Sequence, residues 1–176
     1  MKKTTTLQLV YCALFAALIT VFAQLSIPVG PVPISLATFG VMLCGLLLGW
    51  KYSAVAVGVY ILLGLVGVPV FSNFRGGAAA LAGATGGYII GYLPYAMISG
   101  LPFPALQKDY IGRCLLMEIG TVVCYVLGTA WFMHVTGNTW WASMGMCVAP
   151  FLPGDAAKIL LASFLAPRLR KAVRMK

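Results

Sequence analysis

The 176-residue chain is 61% hydrophobic and only 9% charged, with a mean hydropathy of +0.98. A soluble domain carries roughly 25% charged residues, so these values exclude a soluble enzyme or a soluble nucleic-acid-binding module, and the net charge of +9 has to be read by position. At about 20 apolar residues per crossing, the length accommodates about six transmembrane helices. The expectation is an all-α integral membrane protein, with residues 1–176 forming a single domain.

Breaks at Pro, Gly and charge divide the chain into apolar runs at 7–27, 34–50, 52–70, 84–106, 111–135 and 145–167. The first follows Lys2 and Lys3, as a signal peptide would, but extends from Leu7 to Ile27 without a small-residue cleavage site before Pro28-Val29-Gly30-Pro31-Val32-Pro33. It is read as the first span. Within it Ala13 and Ala17, with Cys12 and Ala16 beside them, form a smooth strip that a helix of this chain or of a partner can approach closely.

Little more than Trp50-Lys51-Tyr52 separates the second and third runs, which implies a tight helical hairpin. Between Pro69 and Tyr88 the connection from helix 3 to helix 4 is too Gly-rich for a regular helix and too apolar for a solvated loop. Such backbone must be buried in protein or line a cavity, so a lid or cavity wall is expected. With both termini on one side, Lys2, Lys3, Lys51, Lys108, Arg113, Arg168, Arg170, Lys171, Arg174 and Lys176 fall on that side and Arg75 on the other. This bias places both termini in the cytoplasm.

Three charged residues remain that topology does not require: Arg75, Asp155 and Lys158. Asp155 and Lys158 follow Pro150-Phe151-Leu152-Pro153-Gly154 and share a face of a helix beginning there. Asp155 also suits an N-cap or first-turn position, so a structural ion pair and a substrate site both fit. One acid, two bases and an apolar lining suit a small amphipathic acid: Lys158 or Arg75 would neutralise a carboxylate while Asp155 accepts N–H groups. Asn73, Thr85 and Tyr88 would add hydrogen bonds, or else cap helix ends and anchor the interface.

Other polar residues carry less. His134, beside Trp131, Trp140 and Trp141, fits an interface belt, and no second ligand stands at metal spacing. Glu118 is expected to pair with Arg113. Cys12, Cys44, Cys114, Cys124 and Cys147 lie in apolar runs without C-x-x-C spacing and read as core. No cofactor is implied. The acids and single His offer little equipment for an intramembrane enzyme. No G-x-x-x-x-G-K-[ST] loop occurs, so ATP hydrolysis, if used, belongs to another chain.

Taken together, Gly67-Val-Pro-Val-Phe, Phe74-Arg-Gly-Gly, Thr85-Gly-Gly-Tyr88 and Phe151-Leu-Pro-Gly-Asp155-x-x-Lys158 resemble the biotin-specific BioY family, the substrate-binding (S) components of energy-coupling factor transporters. The resemblance covers nearly the whole chain, although Ala84-Thr85 stands where Pro-Thr is expected of many relatives. It implies capture of biotin outside a prokaryotic cell membrane and delivery inward with a transmembrane coupling subunit and two ATPases. It also implies that Ala13 and Ala17 meet the coupling subunit and that Asp155 and Lys158 meet the ligand, with Arg75, Asn73, Thr85 and Tyr88 following from the Gly-rich motif. The competing readings are capture of another vitamin and a non-transport assembly subunit.

Overall fold

The computed structural model describes residues 6–28, 30–171 and 173; the positions of Lys2, Lys3, Val29, Arg174 and Lys176 used above lie outside these residues. Helices make up most of the path: α1 (Thr6–Gln24), α2 (Ala37–Leu65), α3 (Ala78–Ala82), α4 (Gly86–Ser99), α5 (Pro104–Lys108), α6 (Tyr110–Thr136), α7 (Trp140–Cys147) and α8 (Leu152–Arg170). A short antiparallel ribbon pairs β1 (Ser26–Ile27) with β2 (Ile34–Ser35). Among the described residues α1, α2 and α6 are each long and apolar enough to cross a membrane, and α7 with α8 forms a fourth candidate bent by 56°.

Contacts reveal more crossings than helix lengths alone. Within α2, Gly49 stands at φ 76°, ψ 168°, a conformation open to glycine. Before it, Gly40 packs on Ile19 of α1. Beyond it, Tyr52 O accepts a hydrogen bond from Cys12 Sγ near the start of α1, while Gln24 at the end of α1 donates to the carbonyls of Pro69, Val70 and Phe71. Residues 37–48 therefore run antiparallel to α1 and residues 50–65 run parallel to it. The hairpin expected at Trp50-Lys51-Tyr52 turns one residue earlier, at the glycine.

The remaining elements follow the same alternation. Near its start α8 touches Ser35 through Lys158, and at its end it touches Leu46 through Arg170, so it runs parallel to residues 37–48. α4 and α6 are antiparallel and closely packed because glycines meet rings: a Cβ at Gly128 would stand 2.2 Å from Tyr88, and one at Gly120 would stand 2.4 Å from Tyr95. Those rings are buried, and their hydroxyls pair with Thr129 at 3.1 Å and Thr121 at 2.6 Å. The path thus traverses the bundle six times through α1, the two halves of α2, α4, α6 and α8. The start of α1 and the end of α8 share one face, here the terminal face; the opposite one is the distal face.

α6 shows how local sequence sets an element. Asp109 caps its start, accepting from Gly112 N at 3.3 Å, and Gly137 ends it in the left-handed region at φ 72°. The last apolar run departs from its expected form. α7 takes up its first residues, and α8 begins at Leu152 rather than after Gly154, because Pro153 in the first turn has no N–H to satisfy there.

Large apolar side chains cover the outside, among them Val10, Val21, Ile111, Leu115, Ile119 and Leu160. So wide an exposed apolar surface suits lipid. Inside, Tyr60, Tyr95, Phe132, Met42 and Leu46 are fully enclosed. All five cysteines are free, and all but Cys114 are buried.

Candidate functional site

Near the distal face lie two adjoining cavities of about 40 and 30 Å³. Val32, Pro33, Tyr88 and Tyr92 line both. The first two come from the loop between β1 and β2, which the ribbon folds inward; the tyrosines stand one turn apart on α4. Tyr60, Phe71, Ser72, Arg75, Ala80 and Thr85 also line the first cavity, and Ser35, Thr38, Cys124, Tyr125, Phe151 and Asp155 the second. Each cavity has room for a few waters, so an organic ligand would have to move part of the wall.

The Gly-rich connection forms that wall. Phe71 and Arg75 pair through their backbones at 2.9 and 3.2 Å, closing a tight loop around Asn73 and Phe74. Both loop residues have positive φ, 61° and 55°. Asn tolerates this region, whereas Phe74 does not, and such strain costs about 1–3 kcal/mol. Gln24 offsets it: its Oε1 accepts from Phe74 N at 2.9 Å while its Nε2 serves the carbonyls just upstream.

On the other side of the tyrosines, Asp155 and Lys158 form a buried ion pair at 2.8 Å, with residue exposures of 3% and 8%. Lys158 Nζ also donates to Ser35 O at 2.8 Å and Thr38 Oγ1 at 3.0 Å, which uses all three of its protons. Asp155 Oδ1 also accepts from Thr38 Oγ1 at 3.3 Å, and Oδ2 accepts from Tyr125 OH at 2.5 Å. The α8 start, the α2 start and the middle of α6 are thereby tied together. Such pairing offsets the desolvation cost of burying two charges.

The six residues singled out in the sequence are thus distributed unevenly. Tyr88 lies between the cavities, Arg75 and Thr85 border the first, and Asp155 borders the second. Lys158 stands behind Asp155 and borders neither. Asn73 is also away from both and accepts from Ser26 Oγ of the ribbon at 3.1 Å. Thr85 occupies the N-cap position of α4 but makes no side-chain cap bond.

Sequence reading missed Tyr125, Thr38, Ser35, Tyr92, Gln24 and the Val32-Pro33 pair. The alternate prolines between two apolar runs were the available signal for the last of these. Two further expectations are corrected or refined. Arg113 does not pair with Glu118, which points outward; its Nε and Nη1 donate instead to Ser163 and to the carbonyls of Gln107 and Lys108. Ala13 and Ala17 face outward, while Cys12 and Ala16 pack inward, so the strip does not serve packing within this chain.

Fold and site together define a multi-pass membrane protein with a small enclosed chamber under one face. The BioY family matches residues 1–175. A protein of Thermotoga maritima named biotin transporter BioY is 40% identical over 168 residues, covering 93% of this chain and 96% of that one. The Pyrococcus horikoshii protein named probable biotin transporter BioY is 39% identical, covering 90% and 93%. Biotin transporter BioY2 of Lactococcus lactis is 30% identical, covering 98% and 95%.

A solved structure, the S-component for biotin from an ECF-type ABC transporter, superposes with a TM-score of 0.86 at 31% identity, covering 96% of this chain and 95% of that one. The chain belongs to the BioY family, whose members are transporter subunits rather than enzymes.

Proposed function

We propose that this chain captures biotin in the chamber under its distal face and delivers it inward as the substrate-specific subunit of an ATP-driven importer. The observation that carries the reading is Asp155: a buried carboxylate, held rigidly by Lys158, Thr38 and Tyr125, that borders a cavity otherwise walled by aromatic and aliphatic groups. Biotin combines an apolar thioether ring, a ureido group with two N–H donors and a carboxylate. Asp155 accepts from the ureido N–H groups, and Lys158 fixes its charge and orientation. Arg75, across the tyrosine partition, receives the carboxylate, while Thr85 and Tyr88 offer hydroxyls between the ends.

The distal face is then outside the cell and both termini are cytoplasmic, a placement supported by Lys51, Lys108, Arg113, Arg168, Arg170 and Lys171 at the terminal face. Residues 1–176 act as one substrate-binding domain. The connection from 69 to 88 closes over the ligand, helped by Asn73 holding its loop to the ribbon. Ala13 and Ala17 present a smooth strip to a transmembrane coupling subunit, and two ATPase subunits supply the energy. Names and fold of the relatives support the substrate and the assembly.

Binding of labelled biotin to the purified chain in detergent tests this. Saturable binding is expected, reduced at least about tenfold by Asp155→Asn and by Lys158→Ala, and unaffected by thiamine or riboflavin. Displacement by either competitor would assign the chamber to a different vitamin, and no binding by folded protein would remove the ligand reading. A cysteine at position 75 is expected to lose reactivity when biotin is present; unchanged reactivity would sink the closing of the connection.

A further inference from the structure

Two arginines on the terminal face meet without an acid. Arg113, from α6, donates through Nε to Ser163 and through Nη1 to the carbonyls of Gln107 and Lys108. Arg170, from the end of α8, donates through Nε and Nη2 to Leu46 O, and Nη2 also reaches Gln107 Oε1. Gln107 thus draws both guanidinium groups together, and its own amide is pinned by Ser99 O and Leu101 O at 3.2 and 3.0 Å. Arg113, Arg170, Lys108, Gln107 and Pro167 line a cavity of about 240 Å³.

The charge there is unbalanced. Among the described residues the one ion pair is Lys158–Asp155, on the other face. Asp109 is committed to capping α6, and Glu118 points outward from the middle of the bundle. Arg113 Nη2 and Arg170 Nη1 have no protein partner among the described residues; Arg113 Nη2 is not fully enclosed, and Arg170 is an exposed residue. Two forks with spare donors, plus the Lys108 side chain in the same lining, match a tetrahedral anion.

We propose that this cavity binds the phosphate of an anionic phospholipid in the leaflet at the terminal face. The surface beside it supports a lipid rather than a protein. Ile111 and Tyr110 at the start of α6 and Leu160 and Phe164 in the middle and later part of α8 are exposed large apolar groups, joined where Tyr110 OH donates to Leu160 O, and the Arg168 guanidinium lies 4.3 Å over the Phe164 ring. Acyl chains lie along that apolar flank while the headgroup enters the basic cavity, as in basic pockets between transmembrane helices generally. Biotin capture plays no part in the argument, and detergent binding of biotin is expected unchanged by the variants below.

The test is a thermal unfolding titration of the purified full chain in detergent, read by a thiol-reactive dye on its buried cysteines. Phosphatidylglycerol is expected to raise the midpoint saturably, with phosphatidylcholine and inorganic phosphate ineffective at equal concentration. Arg170→Gln and Lys108→Gln each raise the half-saturating phosphatidylglycerol concentration about tenfold, while Lys51→Gln, a cation on the same face but outside the cavity, leaves it unchanged. Lys108 makes no side-chain hydrogen bond among the described residues, so its variant keeps the fold even if that of Arg170 does not. Equal stabilisation by phosphatidylcholine, or wild-type titration by Lys108→Gln, overturns the site; equal stabilisation by inorganic phosphate overturns the lipid and leaves a free-anion site.

Discussion

The two faces of the bundle solve the same problem, burial of charge in an apolar molecule, in opposite ways. On the distal face Lys158 is balanced by a carboxylate 2.8 Å away and all three of its protons are used, while Asp155 accepts three bonds, keeps acceptor capacity and borders a cavity. On the terminal face Arg113 is 6% exposed with no acid partner, and it is held by backbone carbonyls, a serine and shared contact with Gln107. The first arrangement is neutral and presents an acceptor. The second is positive and presents donors. Isolated charges cost several kcal/mol to bury, so each arrangement locates what the neighbouring surface is built to meet.

The strongest way to break this contrast is to unbalance the distal pair. Lys158→Ala leaves Asp155 buried without its cation, which is expected to cost about 3–5 kcal/mol of stability, read as a lowered unfolding midpoint. Replacing both, Asp155→Leu with Lys158→Met, removes the stranded charge and is expected to recover most of that loss without recovering biotin binding. A double variant as unstable as the single one would mean that the network organises the fold beyond its charge. Recovery of stability and binding together would place the ligand elsewhere.

The terminal cluster predicts a different signature. Gln107→Leu removes the amide that donates to the carbonyls of Ser99, at the end of α4, and Leu101, just beyond it, together with the acceptor of Arg170, and a cost of about 1–3 kcal/mol follows from leaving such groups unpaired. Biotin affinity should not change, since the residue lies at the opposite face. A drop in affinity matching that of the distal variants would dissolve the distinction between the two clusters.

Tyr125→Phe sharpens the distal side further. It deletes only the 2.5 Å bond to Asp155 Oδ2, and a hydrogen bond to a charged group contributes about 1.5–3 kcal/mol. Stability is expected to fall toward the lower part of that range, because Asp155 keeps Lys158 and Thr38. The more telling readout is the ligand titration: weaker biotin binding together with an unchanged fold would mark Tyr125 as the group that orients the carboxylate.

How much of this was readable beforehand follows from the physics of each part. The six traverses were legible because apolar runs and breaks are properties of contiguous sequence. Asp155 and Lys158 stood out because charge within a span is costly, and their i, i+3 spacing already placed them together. Their partners were not legible: Tyr125 and Thr38 are ordinary residues of apolar helices, brought to Asp155 only by the packing of α6 and α2 on α8. Asn73 and Arg75, adjacent in one motif, separate because the left-handed turn at Asn73 points its side chain to the ribbon and leaves Arg75 at the cavity. The Arg113–Glu118 pairing failed because Arg113 faces inward, where backbone carbonyls within reach substitute for an acid.

The smallest stability effect is expected where neither cluster reaches. Ala13 and Ala17 are outward on α1, with Leu9, Val10 and Leu14 around them, so Ala17→Trp adds a ring to a surface already apolar and displaces nothing inside the bundle. The unfolding midpoint and the biotin titration of the isolated chain should both stay at wild-type values, while a close helix approach to the strip becomes impossible. Co-purification with a coupling subunit is therefore the measurement that responds. Loss of that complex alone would separate assembly from capture. Undiminished assembly would mean that the smooth strip faces lipid and that the partner docks on another side.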